Sequence, residues 1–248
     1  MSFFSKLFGK RMLKSPVDLS LLEVDMHSHI LPGIDDGAED IPASVEMVRQ
    51  LTDLGYRKLI ATPHIMSDTY KNTPESIKIT KDILDIELEK AGVLTETAAA
   101  AEYLMDEGLM EHVEKNNILT LNGNYILIEL PYFSEPQNVY EVIFQLSLKG
   151  YKIVLAHPER YVYWYDDFSK FEALKARDVF FQLNILTFAN LYHFPTRKIA
   201  ENLLNHGMVE FLGTDLHNQK QFELLEEALY EPSLARLIES GRLMNHLL

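Results

Sequence analysis

Histidines and carboxylates recur at the ends of apolar runs along this 248-residue chain, and those residue types point to metal binding through nitrogen and oxygen. The first run closes in Asp25-Met26-His27-Ser28-His29. Residues two apart share one face of an extended chain, so His27 and His29 can point at one cation. The loop behind it, LPGIDDGAED, adds Asp35 and Asp36 beside two glycines that permit a tight turn. Further along come His64 in ATPH, Glu102 in AEY, Glu129 in IELP, His157 in AHPER, and the pair Asp215 and His217 in GTDLH. The chain has no cysteine, which removes disulfides, thiolate metal sites and cysteine nucleophiles, and leaves donors suited to zinc, manganese or iron. A lone buried His or Glu is more often a hydrogen-bonded core residue than a ligand. Their joint placement at successive strand ends carries the metal reading, because such groups brought together would repel and desolvate one another without cations.

Arg160 follows His157 by three positions, at a place otherwise short of positive charge. A guanidinium there is suited to clamp phosphate oxygens in bidentate fashion. Lys220, after the last motif, is a weaker candidate for the same contact. His112, His193, His206 and His246 fall outside these motifs and read as structural or surface residues.

The elements that must hold these side chains alternate along the chain. Strand-length apolar runs cover 21–27, 58–62, 96–102, 125–130, 152–156, 179–184 and 209–214, the third being weakest because TETAAAAE suits a helix as well. Helical patterns cover 41–54, 74–91, 138–149, 168–176, 196–206 and 221–229; Pro74 opens the second and Gly92 follows its end, as helix caps require. Strand–helix repetition without a long linker predicts one parallel α/β domain over 21–248, preceded by an extension over 1–20. Seven units predict a closed or nearly closed barrel whose strand C-termini converge on one active face.

Composition narrows the partners. A formal net charge of −14 argues against nucleic-acid binding, and 47% hydrophobic residues allow a sizeable core. The start, MSFFSKLFGKRMLKSP, is basic and apolar but lacks the uninterrupted core of a cleaved signal peptide. Residues 1–15 therefore read as a short interfacial helix making weak membrane contact, as a frayed, flexible tail, or as a tail folded onto the domain. With no cysteine and no spanning segment, a cytoplasmic protein is expected, at the inner face of the membrane if the tail binds there.

Taken together, these motifs resemble the polymerase and histidinol phosphatase (PHP) superfamily. The segment DMHSHILPGIDDGAED is similar to its bacterial protein-tyrosine phosphatase branch, associated with capsular and extracellular polysaccharide synthesis. The likeness continues through TPH, AEY, IELP, AHPER and GTDLHN in order, over about residues 22–230. It implies a distorted (β/α)7 TIM-like barrel with three divalent metals. Carried over by motif, His27, His29 and Asp215 would bind the first cation, with Glu102 bridging to a second completed by Glu129 and His157. Asp36, His64 and His217 would hold the third, and Arg160 would match the phosphate-binding arginine. The chain departs from the pattern where a second arginine is expected after the TDxHN motif; Asn218-Gln219-Lys220-Gln221 stands there, with Lys220 the possible substitute. It departs again in ILTFANLYHFPTRK, which lacks an expected glycine, and in the N-terminal extension.

The reaction expected is phosphomonoester hydrolysis by a hydroxide bridging two cations, with no covalent phosphoenzyme. The resemblance implies phosphotyrosine on a protein as substrate, in particular a bacterial tyrosine kinase, and manganese as metal, with iron, zinc or cobalt acceptable to the same donors. The alternatives are a small-molecule phosphatase acting on a compound such as histidinol phosphate, and a catalytically inactive metal-binding scaffold for polysaccharide assembly.

Overall fold

The computed structural model describes residues 12–189 and 194–248. The proposed interfacial helix falls mostly on residues 1–11, and it and His193 lie outside the described residues. The elements run β1 (Val24–Ser28), α1 (Ile41–Asp53), β2 (Lys58–Ala61), β3 (His64–Ile65), α2 (Pro74–Lys90), β4 (Glu96–Ala99), β5 (Glu102–Leu104), α3 (Glu107–Glu114) and β6 (Tyr125–Glu129). There follow α4 (Val139–Leu148), β7 (Lys152–Ala156), α5 (Ser169–Lys175), β8 (Phe180–Asn184), α6 (Phe194–Asn205), β9 (Phe211–Gly213), α7 (Gln219–Ala228) and α8 (Pro232–Ile238).

Every strand pair is parallel. The strands form two sheets, β1-β2-β4 and β3-β5-β6-β7-β8-β9. Their division has a local cause. Pro63 has no N–H to give to a ladder, and the chain breaks there between β2 and β3. The neighbouring chain breaks beside it between β4 and β5, while Ala100 N–H still donates to Ala61 O at 2.8 Å and Glu102 N–H to Pro63 O at 3.1 Å. Counting β2 with β3 and β4 with β5, seven strand positions stand in a ring. The ring is not closed by a ladder. Between β9 and β1 it is joined by a parallel bridge at Ser28 and Leu216, with Asp215 N–H donating to His27 O at 2.8 Å and His29 N–H to Leu216 O at 3.0 Å. The architecture is thus a distorted seven-stranded TIM-like barrel.

Helix ends follow the sequence signals. Thr73 and Ser76 form a capping box at α2 with Pro74 in the first turn, and the Asp40 side chain accepts from Ala43 N–H at the start of α1. Two apolar layers result. The larger joins the outer faces of the strands to the helices; the smaller fills the barrel and contains Val24, Met26, Ile60, Leu127, Val154 and Phe211.

One irregularity positions the chemistry. Between Asp25 and Ser28, β1 spans three steps against two in β2, so the strand carries a bulge. Val24 and Met26 face the interior; without the extra residue His27 and His29 would face outward. The bulge switches the face, and both imidazoles enter the barrel mouth.

Candidate metal centre

Four overlapping groups of side chains at the strand C-termini bring their donor atoms within 4.8 Å of one another: His27, His29 and Asp215; His27, Glu102 and His157; His64, Glu102 and Glu129; and His29, Asp36, His64 and His217. All nine residues that the resemblance assigns to metal are in these groups; Asp35 is not. Glu102 sits at the middle. Its Oε2 lies 3.2 Å from His27 Nε2, 3.5 Å from His29 Nε2 and 3.2 Å from His64 Nδ1, and its Oε1 lies 2.9 Å from His157 Nε2. Asp215 Oδ1 is 3.4 Å from both His27 Nε2 and His29 Nε2. Glu129 Oε1 is 3.3 Å from His64 Nδ1. At the rim, Asp36 Oδ1 lies 3.4 Å from His64 Nε2 and 3.6 Å from His217 Nε2. His217 stacks on His29 with ring centroids 4.0 Å apart.

The backbone holds two of these residues in unusual conformations. His157 has φ 32° and Asp215 has φ 51°, in the left-handed region that ordinary residues avoid. In each case the chain turns immediately after its strand: Pro158–Arg160 forms a 3₁₀ turn after β7, and Asp215 follows β9.

Burial sets the electrostatics. Glu102 and Glu129 are fully buried and Asp215 nearly so. Burial, reinforced by the neighbouring Glu102 charge, pushes the Glu129 carboxyl well above its ordinary range. Burial acts the same way on Glu102, but His27 and His64 outweigh it and hold that carboxyl well below. For Asp215, burial is likewise outweighed, by His27 first. His64 is pushed down to about 4 by burial and is therefore neutral near pH 7, as a ligand imidazole must be. Asp36, half-exposed, is lowered to about 2 by the hydrogen bond to His217.

Both Glu129 oxygens, Glu102 Oε2, His64 Nδ1 and His157 Nδ1 are buried without a hydrogen-bond partner among the described residues. Buried polar atoms ordinarily find partners. Lone pairs left this way, on groups converging from different strands, suit divalent cations as the missing partners. The residues present therefore fit a metal cluster.

A supporting layer orients the imidazoles. Asp35 Oδ2 is 2.7 Å from His29 Nδ1, and its other oxygen accepts from Gly37 N–H at 3.0 Å. Gln182 Oε1 lies 2.9 Å from His27 Nδ1. Asn184 Nδ2 donates to Asp215 Oδ2 at 2.7 Å. Tyr132 stacks on His157 and Tyr70 on His64. Sequence reasoning placed Asp35 in the right loop without assigning its role, and it missed Gln182, Asn184, Tyr132 and Tyr70. Gln182 and Asn184 stand at alternate positions of β8, the one strand end where no His or acid was expected.

Arg160 Nη1 donates to Asp215 Oδ2 at 3.0 Å, and its guanidinium lies over the Tyr132 ring at 4.7 Å. Lys220 is exposed in the first turn of α7 and makes no hydrogen bond or ion pair with the described cluster residues. Of the histidines set aside, His112 packs edge-on against Tyr103, His206 bonds Asn202 O at 2.8 Å and His246 is exposed.

The fold and the convergence of histidine and carboxylate at its strand ends define a barrel whose mouth fits a metal site. The sequence model of the family described as capsular polysaccharide synthesis, CpsB/CapC, matches residues 23–226, and the chain belongs to that family. Tyrosine-protein phosphatase YwqE of Bacillus subtilis (strain 168) is 32% identical over 209 residues, covering 84% of this chain and 82% of that protein. Tyrosine-protein phosphatase CpsB of Streptococcus pneumoniae is 26% identical over 204 residues, covering 79% and 83%. A solved chain from the crystal structures of YwqE from B. subtilis and CpsB from S. pneumoniae, described there as unique metal-dependent tyrosine phosphatases, superposes with a TM-score of 0.78 at 29% identity. That match covers 88% of this chain and 86% of the other.

Proposed function

We propose that this chain is a metal-dependent phosphatase that hydrolyses phosphotyrosine on a protein, its substrate being a bacterial tyrosine kinase of capsular or extracellular polysaccharide synthesis. The observation that carries the reading is the set of buried, unpartnered donor atoms on Glu102, Glu129, His64 and His157 beside His27, His29 and Asp215. The phosphotyrosine assignment draws on what the relatives are named for.

Three divalent cations, manganese first among those the donors accept, would be held by His27, His29 and Asp215, by Glu102, Glu129 and His157, and by Asp36, His64 and His217. Bound there, they supply water with a lowered pKa and neutralise developing charge on phosphoryl oxygens. The protein's own residues do the rest. Asp35 and Gln182 fix the orientation of His29 and His27. Arg160, set by Asp215 and Tyr132, brings a permanent positive charge to the rim to receive phosphate oxygens. Without cysteine, no thiol phosphoenzyme is available. Residues 21–248 are taken as the catalytic domain. Residues 1–15 are taken as a weak membrane contact, which their removal would abolish; among the described residues no helix is long and apolar enough to cross a membrane.

The test is phosphate release from a phosphotyrosine peptide and from histidinol phosphate, by metal-stripped protein before and after adding manganese. Metal-dependent release from the peptide supports the reading. Release from histidinol phosphate alone moves the substrate to a small molecule, and no release under any metal removes the enzyme.

A further inference from the structure

Helix α2 is apolar on two faces. Pro74, Ile77, Leu84 and Leu88 are buried against the rest of the fold. Ile79, Ile83 and Ile86 are 61%, 43% and 52% exposed, and Leu94, just past the helix, is 90% exposed. At about 100° per residue, the three isoleucines fall within roughly 60° of one another and lie opposite the Ile77–Leu84–Leu88 side. A solvated helix face is ordinarily polar, so a stripe at this spacing needs a cover.

The charges around the stripe are ordered. The first half of α2 carries Glu75, Lys78 and Lys81, a net +1, whereas the second carries Asp82, Asp85, Glu87, Glu89 and Lys90, a net −3. Lys78, Asp82 and Glu89 share one flank of the stripe by the same helical geometry. The helix is therefore dipolar in its side chains, with apolar residues along its middle.

We propose that this face is a self-association surface, on which α2 packs antiparallel against α2 of a second copy of this chain about a two-fold axis close to Ile83. Reversal sets Ile79 over Ile86 of the second copy and Ile83 beside its own counterpart. A two-fold axis brings like flanks together, so Lys78 comes within about one turn of Glu89 of the second copy, and each basic half meets an acidic half. Parallel pairing would set the acidic halves side by side. An anionic membrane surface would be repelled by the same four carboxylates. Charge complementarity thus selects a reversed copy as the cover. A single helix pair buries less than the roughly 1,200 Å² of a stable interface, so the dimer is reversible. The catalytic mouths of the two copies open in opposite directions and stay accessible.

The chain's lack of cysteine makes the test clean. Ile83→Cys is expected to crosslink to itself with a short bismaleimide, and Leu148→Cys, at an exposed position on α4, is not. Sedimentation velocity of the intact protein is expected to show a concentration-dependent dimer. Ile83→Lys and Lys78→Glu should each weaken association by about tenfold or more, and Lys78→Glu combined with Glu89→Lys should recover it. Metal content and phosphatase activity should stay unchanged throughout. A protein that remains monomeric at every soluble concentration overturns the proposal. So does an Ile83→Cys variant that crosslinks no faster than Leu148→Cys, or a charge swap that fails to recover association.

Discussion

Gly213 lies directly behind His27: a Cβ on Gly213 would come within 2.6 Å of the His27 Cβ and 2.9 Å of Gln182 Nε2. Real Cβ atoms do not approach that closely, so only glycine lets β9 and β1 meet here and lets Gln182 reach the His27 ring. Gly213→Ala is expected to displace His27 and its supporting amide together. Such losses behind a ligand typically cost about 10–100-fold in metal affinity, and overpacking costs about 1–3 kcal/mol in stability. Metal titration and urea unfolding of the variant read both. Unchanged affinity would mean that His27 does not bind metal.

Glu129 carries the clearest sign that the centre is built for cations. Its carboxyl is buried, lacks hydrogen-bond partners among the described residues and is raised well above its ordinary range, by burial first and by Glu102 next. An acid raised in this way holds a proton in the folded metal-free protein that it releases on unfolding, which costs stability near neutral pH, so Glu129→Gln is expected to leave the stripped protein as stable or more stable by about 1–3 kcal/mol. The loaded protein should respond oppositely. Ligand binding stabilises only the state that binds, so adding manganese should raise the Tm of the wild type far more than that of the variant, and the variant should lose turnover. Thermal unfolding with and without manganese measures the crossing.

How far these relationships were legible depends on their range along the chain. Alternation of strand and helix predicted the seven strand positions, and 152–156 matches β7 in full. Pattern alone did not resolve the interruptions at Pro63 and at Ala100-Ala101, because a run of strand character reads as one strand until its neighbour is known. The short helices α3 and α8 were missed, being of eight and seven residues. Spacing predicted that His27 and His29 share a face, but which face depends on the bulge in β1, a property of its pairing with β2. Eight of the nine residues assigned to metal were visible because they close apolar runs, and Asp36 was visible in the loop behind the first. Gln182 and Asn184 were hidden because amides at a strand end carry no charge signal, and their partners lie 155 and 31 positions away. Lys220 was singled out from its place in the chain after the last motif; it is exposed in α7 and makes no hydrogen bond or ion pair with the described cluster residues.

Glu159 predicts a pH dependence. It is fully buried behind the cluster, where Asn184 N–H and the Thr187 hydroxyl donate to its Oε1 at 2.9 and 2.8 Å, while Oε2 has no partner among the described residues. Burial raises its carboxyl to about 7 from 4.5, outweighing those donors. A raised acid binds its proton more tightly folded than unfolded. The wild type therefore loses stability as pH rises from the unfolded value to the folded one, and the full cost is present above about 7. Glu159→Gln keeps the acceptor and removes the charge. The variant should match the wild type near about pH 4 and exceed it by on the order of 2–3 kcal/mol near about pH 8. Urea unfolding of both proteins across that range gives the difference, to which the groups common to the two contribute equally. A constant difference would place the Glu159 proton elsewhere.

Arg160 separates catalysis from metal binding. Its Nη1 bonds Asp215 Oδ2, an oxygen that also accepts from Asn184 Nδ2 at 2.7 Å. In Arg160→Ala that carboxylate keeps one donor and its place beside His27 and His29, so metal content is expected to hold. Loss of the guanidinium removes a charge positioned for phosphoryl oxygens, and preorganised contacts of this kind are worth about 10²–10³-fold in turnover. Arg160→Lys should recover only part, because an ammonium cannot bond Asp215 and phosphate in the geometry of a planar fork. The measurement is kcat/KM on a phosphotyrosine peptide, paired with metal analysis of the same samples. If both activity and metal fall together, Arg160 acts by holding Asp215 rather than by meeting the phosphate.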